Sequence, residues 1–243
     1  MADKLITFDN VSKNFGAIKA LENVNISVDT GEFLALVGPS GCGKSTILRI
    51  ASGLDEISSG TLKTRTSKIG YVFQDSTLMP WRTVRKNIEF LAELEKIDKQ
   101  IIKNKTNDII ELVGLQDFTE HYPIALSGGM KMRASLARSL VLEPELFLFD
   151  EPFGALDLIT RGKLNVDLMQ LYNSKKFTSL FVTHSVEEAL FLSSRVLVFS
   201  GRPGKIVGEF TVPFKYPRDS EIRYSSEFAE LSKEVGRVLE KFS

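Results

Sequence analysis

The chain has 243 residues, with 31 basic and 31 acidic side chains and a formal charge of zero, so no cationic field or basic arm favours nucleic acid. The length is enough for one large or two small domains with a buried core. A lone cysteine, Cys42, excludes an internal disulfide and fits a reducing compartment; the start, Met1-Ala2-Asp3-Lys4-Leu5-Ile6-Thr7, meets Asp9 before any apolar block builds, against a signal peptide; and no apolar stretch approaches the ~20 residues that cross a bilayer, so a soluble chain is expected.

In chain order, short apolar runs at residues 5–8, 24–28, 33–37, 69–73, 146–149, 179–182 and 196–199 predict strands. Those at 33–37, 146–149 and 179–182 are nearly continuous, as parallel strands covered on both faces should be. Helical periodicity appears between them, over 45–51, 84–95, 101–113, 129–142, 160–172 and 186–192. Strand alternating with helix indicates an α/β sheet. From Asp75 to Glu143 the pattern is helical throughout, which predicts a helical insertion in the sheet domain. After Phe210 the stretch around Pro213 and Pro217 reads as a linker, and residues 227–241 as a closing amphipathic helix. No internal repeat or low-complexity tract is present.

Four of the apolar runs end on residues suited to phosphate chemistry: Gly38, Gln74, Asp150-Glu151 and His184. In open parallel sheets ligands sit at the carboxyl ends of strands, so these groups should gather at one edge. The first belongs to Gly38-Pro39-Ser40-Gly41-Cys42-Gly43-Lys44-Ser45-Thr46, a G-x-x-x-x-G-K-[ST] match between a strand and a helix. Its glycines let successive N–H groups curl around phosphate oxygens, and the following helix adds its positive end. Lys44 would reach the β- and γ-phosphates and the Ser45 hydroxyl would ligate Mg²⁺. Cys42 sits in the loop for its backbone N–H; without a partner histidine a catalytic thiol is not expected.

Asp150 ends an apolar strand and is placed to hold Mg²⁺ through its water shell, while Glu151 can orient the attacking water. Of two histidines, His121 is read as structural, and His184 as a donor to a γ-phosphate oxygen. Gln74 is a candidate ligand to Mg²⁺ or to that water. The tetrapeptide Asn104-Lys105-Thr106-Asn107 lies in a predicted helix and ends in Asn where guanine recognition would need Asp, which disfavours a GTPase switch.

Leu126-Ser127-Gly128-Gly129-Met130, followed by a helix and then the Asp150-Glu151 strand, resembles the signature of ATP-binding-cassette ATPases. Ala155-Leu156-Asp157 matches that family's D-loop, and Phe15 its adenine-stacking aromatic, with Phe keeping the stacking face of the commoner Tyr. Met130 stands where Gln is commoner, and Gly154 where Ser is. The resemblance spans essentially the whole chain. It implies an α/β fold of the P-loop NTPase type: a mainly parallel sheet core flanked by helices, with an N-terminal β subdomain. All of residues 1–243 would form one ATPase domain, with the helical subdomain at 76–143 and a C-terminal linker and helix at 211–243.

The resemblance also implies ATP and Mg²⁺ as cofactors, and a head-to-tail dimer of ATPase subunits. There Ser127, Gly128, Gly129 and Met130 of one copy would act in trans on ATP held by the other. Leu78-Met79-Pro80-Trp81-Arg82-Thr83-Val84, the stretch 150–157 and Gly201-Arg202-Pro203-Gly204-Lys205-Ile206 are similar to the nitrate, sulfonate and taurine importer group, which includes carriers of thiamine-precursor pyrimidines. That group implies two membrane permease subunits, a solute-binding protein and a peripheral position on the cytoplasmic face of the membrane. Trp81 is either a core indole or an anchor on the permease-facing surface. A DNA-repair or chromosome-organising cassette is the alternative class, but the long coiled coil, zinc site or tandem cassette usual there is missing from this sequence.

Overall fold

The computed structural model describes residues 3–242, so Met1, Ala2 and Ser243 of the terminal stretches read above lie outside the described residues. The order begins with β1 (Lys4–Phe15), β2 (Ile18–Asp29), β3 (Phe33–Val37), α1 (Lys44–Ala51), β4 (Ser59–Thr64) and β5 (Ile69–Val72). The inserted helices α2 (Val84–Leu94), α3 (Lys99–Leu112) and α4 (Gly128–Leu140) follow without any strand between them. The chain then alternates through β6 (Leu146–Asp150), α5 (Leu158–Lys175), β7 (Thr178–Thr183), α6 (Val186–Leu192), β8 (Arg195–Phe199), β9 (Ile206–Thr211) and α7 (Ser226–Phe242).

Six strands form one sheet in the order β5-β6-β7-β3-β8-β9, parallel except for β9 against β8. A second, antiparallel sheet runs β2-β1-β4. Pleating sends alternate side chains of the parallel strands to opposite faces. Phe33, Phe147, Phe149 and Phe181 enter a core closed by α4 to α7, while Leu34, Leu36, Leu148 and Val182 enter another closed by α1 and the antiparallel sheet. Both faces are therefore dry, which is why these strands read as unbroken apolar runs. Each fully buried ring contributes roughly 1.5–3 kcal/mol. The large faces of Phe33, Phe147, Phe149 and Phe177 pack with centroids 4.6–6.5 Å apart.

Two strands were not foreseen. Residues of β4 and β9 are exposed or half-buried throughout, because each is an edge strand with no fully buried face to mark it. Likewise the short runs 5–8 and 24–28 lie inside a long hairpin, β1 with β2, whose outer ends are polar. The proline-containing stretch expected as a linker is fastened down. Arg218 Nη1 donates to the carbonyls of Leu190, Phe191 and Ser193 at 2.8–2.9 Å, and the Tyr216 hydroxyl donates to that of Leu192 at 2.6 Å. Those are the carbonyls that the end of α6 leaves without helical partners. Burial of that guanidinium lowers its pKa from the ordinary arginine value. The amphipathic helix expected at 227–241 is α7, which seats Phe228 and Val235 on the sheet side.

Among the described residues no helix is long and apolar enough to cross a membrane.

Candidate functional site

The loop of residues 38–45 joins β3 to α1. Gly43 caps α1 at φ 102°, and a Cβ there would lie 2.7 Å from the Leu21 side chain, so both backbone and space demand glycine. Lys44 is 4 % exposed; its Nζ donates to the carbonyls of Gly38 at 2.8 Å and Pro39 at 2.9 Å. The ammonium is thus held inside the curl of its own loop. Cys42 is buried beside it, Sγ 3.8 Å from Nζ, and burial pushes the thiol up from its usual pKa.

Ser45 Oγ donates to Asp150 Oδ1 at 2.7 Å, and the Tyr71 hydroxyl donates to Asp150 Oδ2 at 3.2 Å. Burial raises the Asp150 carboxyl above the usual range, against the opposing effect of those two hydrogen bonds. The same burial raises the Tyr71 phenol, with the Asp150 charge adding to it, so tyrosine stays a donor. A half-buried carboxylate beside a serine hydroxyl is a hard-oxygen pair, which fits Mg²⁺ shared with phosphates and water. Among the described residues no group of three or more His, Cys, Asp and Glu is placed to hold a metal ion.

Glu151 follows in a left-handed turn at φ 47°, a costly conformation for a side chain with a Cβ, held by a hydrogen bond from its N–H to the Val182 carbonyl at 3.0 Å. That turn swings its carboxylate off the strand axis. His184 Nδ1 lies 3.3 Å from Glu151 Oε2. Gln74 comes to the same place: a Cβ on Gly154 would be 3.4 Å from Gln74 Nε2 and 3.7 Å from Glu151 Oε2. Phe15, Ser40, Gly41, Gly43, Lys44, Ser45, Thr46, Gln74 and Glu151 line one cavity of about 510 Å³. The Phe15 ring is 47 % exposed with Lys13 Nζ 4.8 Å from its centroid, leaving a face free for stacking. A more apolar cavity of about 420 Å³, between α4 and α5, is lined by none of these groups.

The remaining expected residues lie elsewhere. Ser127 caps α4, its Oγ accepting from Met130 N at 3.3 Å, and Met130 packs partly into the core. A Cβ on Gly128 would sit 2.9 Å from Leu156 Cδ2, and one on Gly129 2.7 Å from Thr160 Cγ2, so this turn abuts the start of α5 and does not line the cavity. Asp157 caps α5 by accepting from the N–H groups of Ile159 and Thr160 at 3.1 and 3.0 Å, which lowers its pKa. Trp81 is 75 % exposed, which excludes the core reading. His121 packs its ring on Phe118, and its carbonyl accepts from Val84 N, as a structural residue would.

Several functional neighbours went unread. Tyr71 lies in β5, two residues before the loop that carries Gln74, and its polar tip showed no role. Arg202 donates to the Gly41 carbonyl at 3.1 Å from the β8–β9 turn, a contact across 161 residues. Asn87, fully buried, ties its side-chain amide to Met79, Arg82 and Thr83, and Arg138 donates to Ser76 and Thr77. Helical periodicity assigns such polar residues to the solvent side, so nothing in the pattern marked them.

Residues 21–154 match the family model described as ABC transporter. An uncharacterized ABC transporter ATP-binding protein of Methanocaldococcus jannaschii is 43 % identical over 242 residues, covering 95 % of this chain and 90 % of that one. The aliphatic sulfonates import ATP-binding protein SsuB of Bacillus cereus is 41 % identical over 241 residues, 95 % of this chain and 94 % of the other. A solved dimeric ATP-binding cassette in a post-hydrolysis state, with ADP and phosphate bound, superposes with a TM-score of 0.75 at 29 % identity, covering 86 % of this chain and 100 % of that one.

Proposed function

Since this chain belongs to the ABC transporter family, and is one of its ATP-hydrolysing cassettes, we propose that it is the Mg²⁺-dependent ATPase subunit of an importer. One observation carries the reading. Lys44, Ser45, Gln74 and Glu151, from three separate strand ends, line one cavity, with Asp150 hydrogen-bonded to Ser45 and His184 of a fourth strand end 3.3 Å from Glu151.

The loop N–H groups and Lys44 receive the phosphate chain, and Phe15 takes the adenine on its free face. Lys44 leaves the carbonyls that now hold it for phosphate oxygens of higher charge density. Ser45 and Asp150, with Gln74, would hold Mg²⁺, which when bound neutralises charge on the β- and γ-phosphates. Glu151 accepts a hydrogen bond from the attacking water and takes its proton. His184, within reach of Glu151, keeps that carboxylate oriented and offers a donor to the γ-phosphate oxygen.

The second half of the site would come from a second copy of this chain, through residues 127–130 at the start of α4, of which Ser127 and Gly128 are exposed. Leu158 and Ile159, beside Asp157, are 81 % and 71 % exposed, an apolar edge suited to burial against that copy. Two permease subunits would dock on residues 76–84 and place the protein on the cytoplasmic face of the membrane, with a solute-binding protein outside. Likeness to the sulfonate import proteins supports an aliphatic sulfonate as solute; a thiamine-precursor pyrimidine is the other candidate from the sequence. In the reconstituted complex, ATPase stimulated by binding protein loaded with an alkanesulfonate is the expected result, and stimulation only by a pyrimidine replaces the solute.

Glu151→Gln tests the chemistry. The amide keeps the shape but cannot take a proton, so the variant should bind ATP, dimerise on gel filtration and turn over at least ~100-fold more slowly. A variant that stays monomeric at saturating ATP, or hydrolyses at the parent rate, removes the second-copy reading or the role of Glu151 respectively.

A further inference from the structure

Two buried polar atoms beside the site have no hydrogen-bond partner, and they face each other. Arg161 Nε, on the first turn of α5, lies 3.6 Å from Glu188 Oε1 on α6, just beyond hydrogen-bond reach. Each residue is otherwise committed. Arg161 Nη2 donates to the carbonyls of Leu156 at 3.0 Å and Gly154 at 3.4 Å, in the turn that leads from Glu151 to Asp157. Glu188 Oε2 accepts from the Thr183 hydroxyl at 2.6 Å, and Thr183 Oγ1 accepts from Ser185 N at 3.0 Å. Thr183 and Ser185 flank His184.

The sequence explains the second half of this arrangement. Ser185-Val186-Glu187-Glu188 has the S-x-x-E spacing of a capping box, and Ser185 Oγ accepts from Glu188 N at 3.3 Å. In the usual box the glutamate returns to the cap's own N–H. Here Thr183 Oγ1 has taken that N–H, and Glu188 holds Thr183 instead, keeping its other oxygen for Arg161. The half-buried guanidinium and the buried carboxylate are paired as ions at 3.6 Å but not hydrogen-bonded, and a small approach of the two turns would add the hydrogen bond.

We propose that Arg161 and Glu188 are positioning residues that couple the turn at residues 154–157 to the placement of His184, through the chain Leu156 carbonyl, Arg161, Glu188, Thr183. The inference rests on the reading of Glu151 and His184 given above. Leu158 and Ile159, the exposed edge offered to the second copy, directly follow the turn at 154–157, so pressure there moves Arg161 toward Glu188 and fixes the loop bearing His184. Neither residue touches nucleotide; they act through His184.

The test uses the full chain with its histidines isotopically labelled. There are two, and His121 lies at the other end of the helical insertion, so it serves as an internal control. In Arg161→Ala and in Glu188→Gln the imidazole resonances of His184 should shift and broaden while those of His121 stay. The turnover number should fall about tenfold with KM for ATP little changed, and the double variant should be no worse than either single one, as for groups acting as a unit. Arg161→Lys, which keeps the charge but cannot reach both carbonyls and Glu188, should recover only part of the rate. Unmoved His184 resonances in folded variants, or losses that multiply in the double variant, overturn the link. If the parent protein hydrolyses no ATP, the ATPase reading fails on its own account and the histidine spectra still decide the coupling.

Discussion

The loop at residues 38–45 and the turn at residues 126–130 are both glycine-rich entries to a helix, yet the fold treats them in opposite ways. The loop is closed upon itself. Lys44 is satisfied by two loop carbonyls, Ser45 by Asp150, and Gly43 by the space beside Leu21. The turn is pressed from behind by Leu156 and Thr160, and Gly128 and Ser127 are exposed in front. One is closed around its own groups, and the other is a surface whose glycines serve its back. On the proposed function the site would need two copies to be whole, which would make each half separately breakable.

The largest effect should follow Lys44→Ala. Removing the buried cation should cost at least ~100-fold in turnover and weaken ATP binding strongly, measured by phosphate release and by titration with a fluorescent ATP analogue. Turnover at the parent rate in a preparation free of contaminating ATPase would remove the loop from the chemistry. Gly129→Ala strikes the other half. The new methyl would meet Thr160 Cγ2 at 2.7 Å, and overpacking of this kind costs about 1–3 kcal/mol. ATP affinity of the monomer should be unchanged while hydrolysis falls; loss of monomer affinity would mean that the halves are not independent.

Asn87→Ala sharpens the comparison from the insertion side. Its buried amide holds residues 79–83 through four hydrogen bonds, and orphaning those backbone groups should cost roughly 1–3 kcal/mol in denaturant unfolding. An unchanged midpoint would show that residues 76–84 are held by other contacts. Trp81→Ala, at a position 75 % exposed, should change stability by less than about 0.5 kcal/mol and leave ATPase of the isolated subunit as it was. ATPase in the permease complex should fall, and unchanged coupling there would take Trp81 off the docking surface.

Those two residues also show where reading the sequence stops. Trp81 could be core or surface on composition alone, because a single indole in a polar loop has no periodic partner to assign its face. Asn87 sits at a buried position of an otherwise well-read helix, where its polarity pointed outward. The loop at 38–45, by contrast, needs only contiguous residues: glycine spacing, a strand before and a helix after are all local facts. The continuous apolar runs of β3, β6 and β7 were legible for a similar reason, since a strand covered on both faces must be apolar at every position. Edge strands β4 and β9 carry no such burden and left no trace.

The sequence by itself determined the α/β class, the strand ends bearing Gly38, Gln74, Asp150 and His184, the helical insertion, and the family, because each rests on residue order within a few turns of chain. Tertiary structure alone decided which of those ends share a cavity, that Tyr71 donates to Asp150, that the stretch after Phe210 is clamped by Arg218, and that Arg161 faces Glu188. Those contacts join residues at least 25 positions apart, and no local pattern encodes a partner that only the fold brings near.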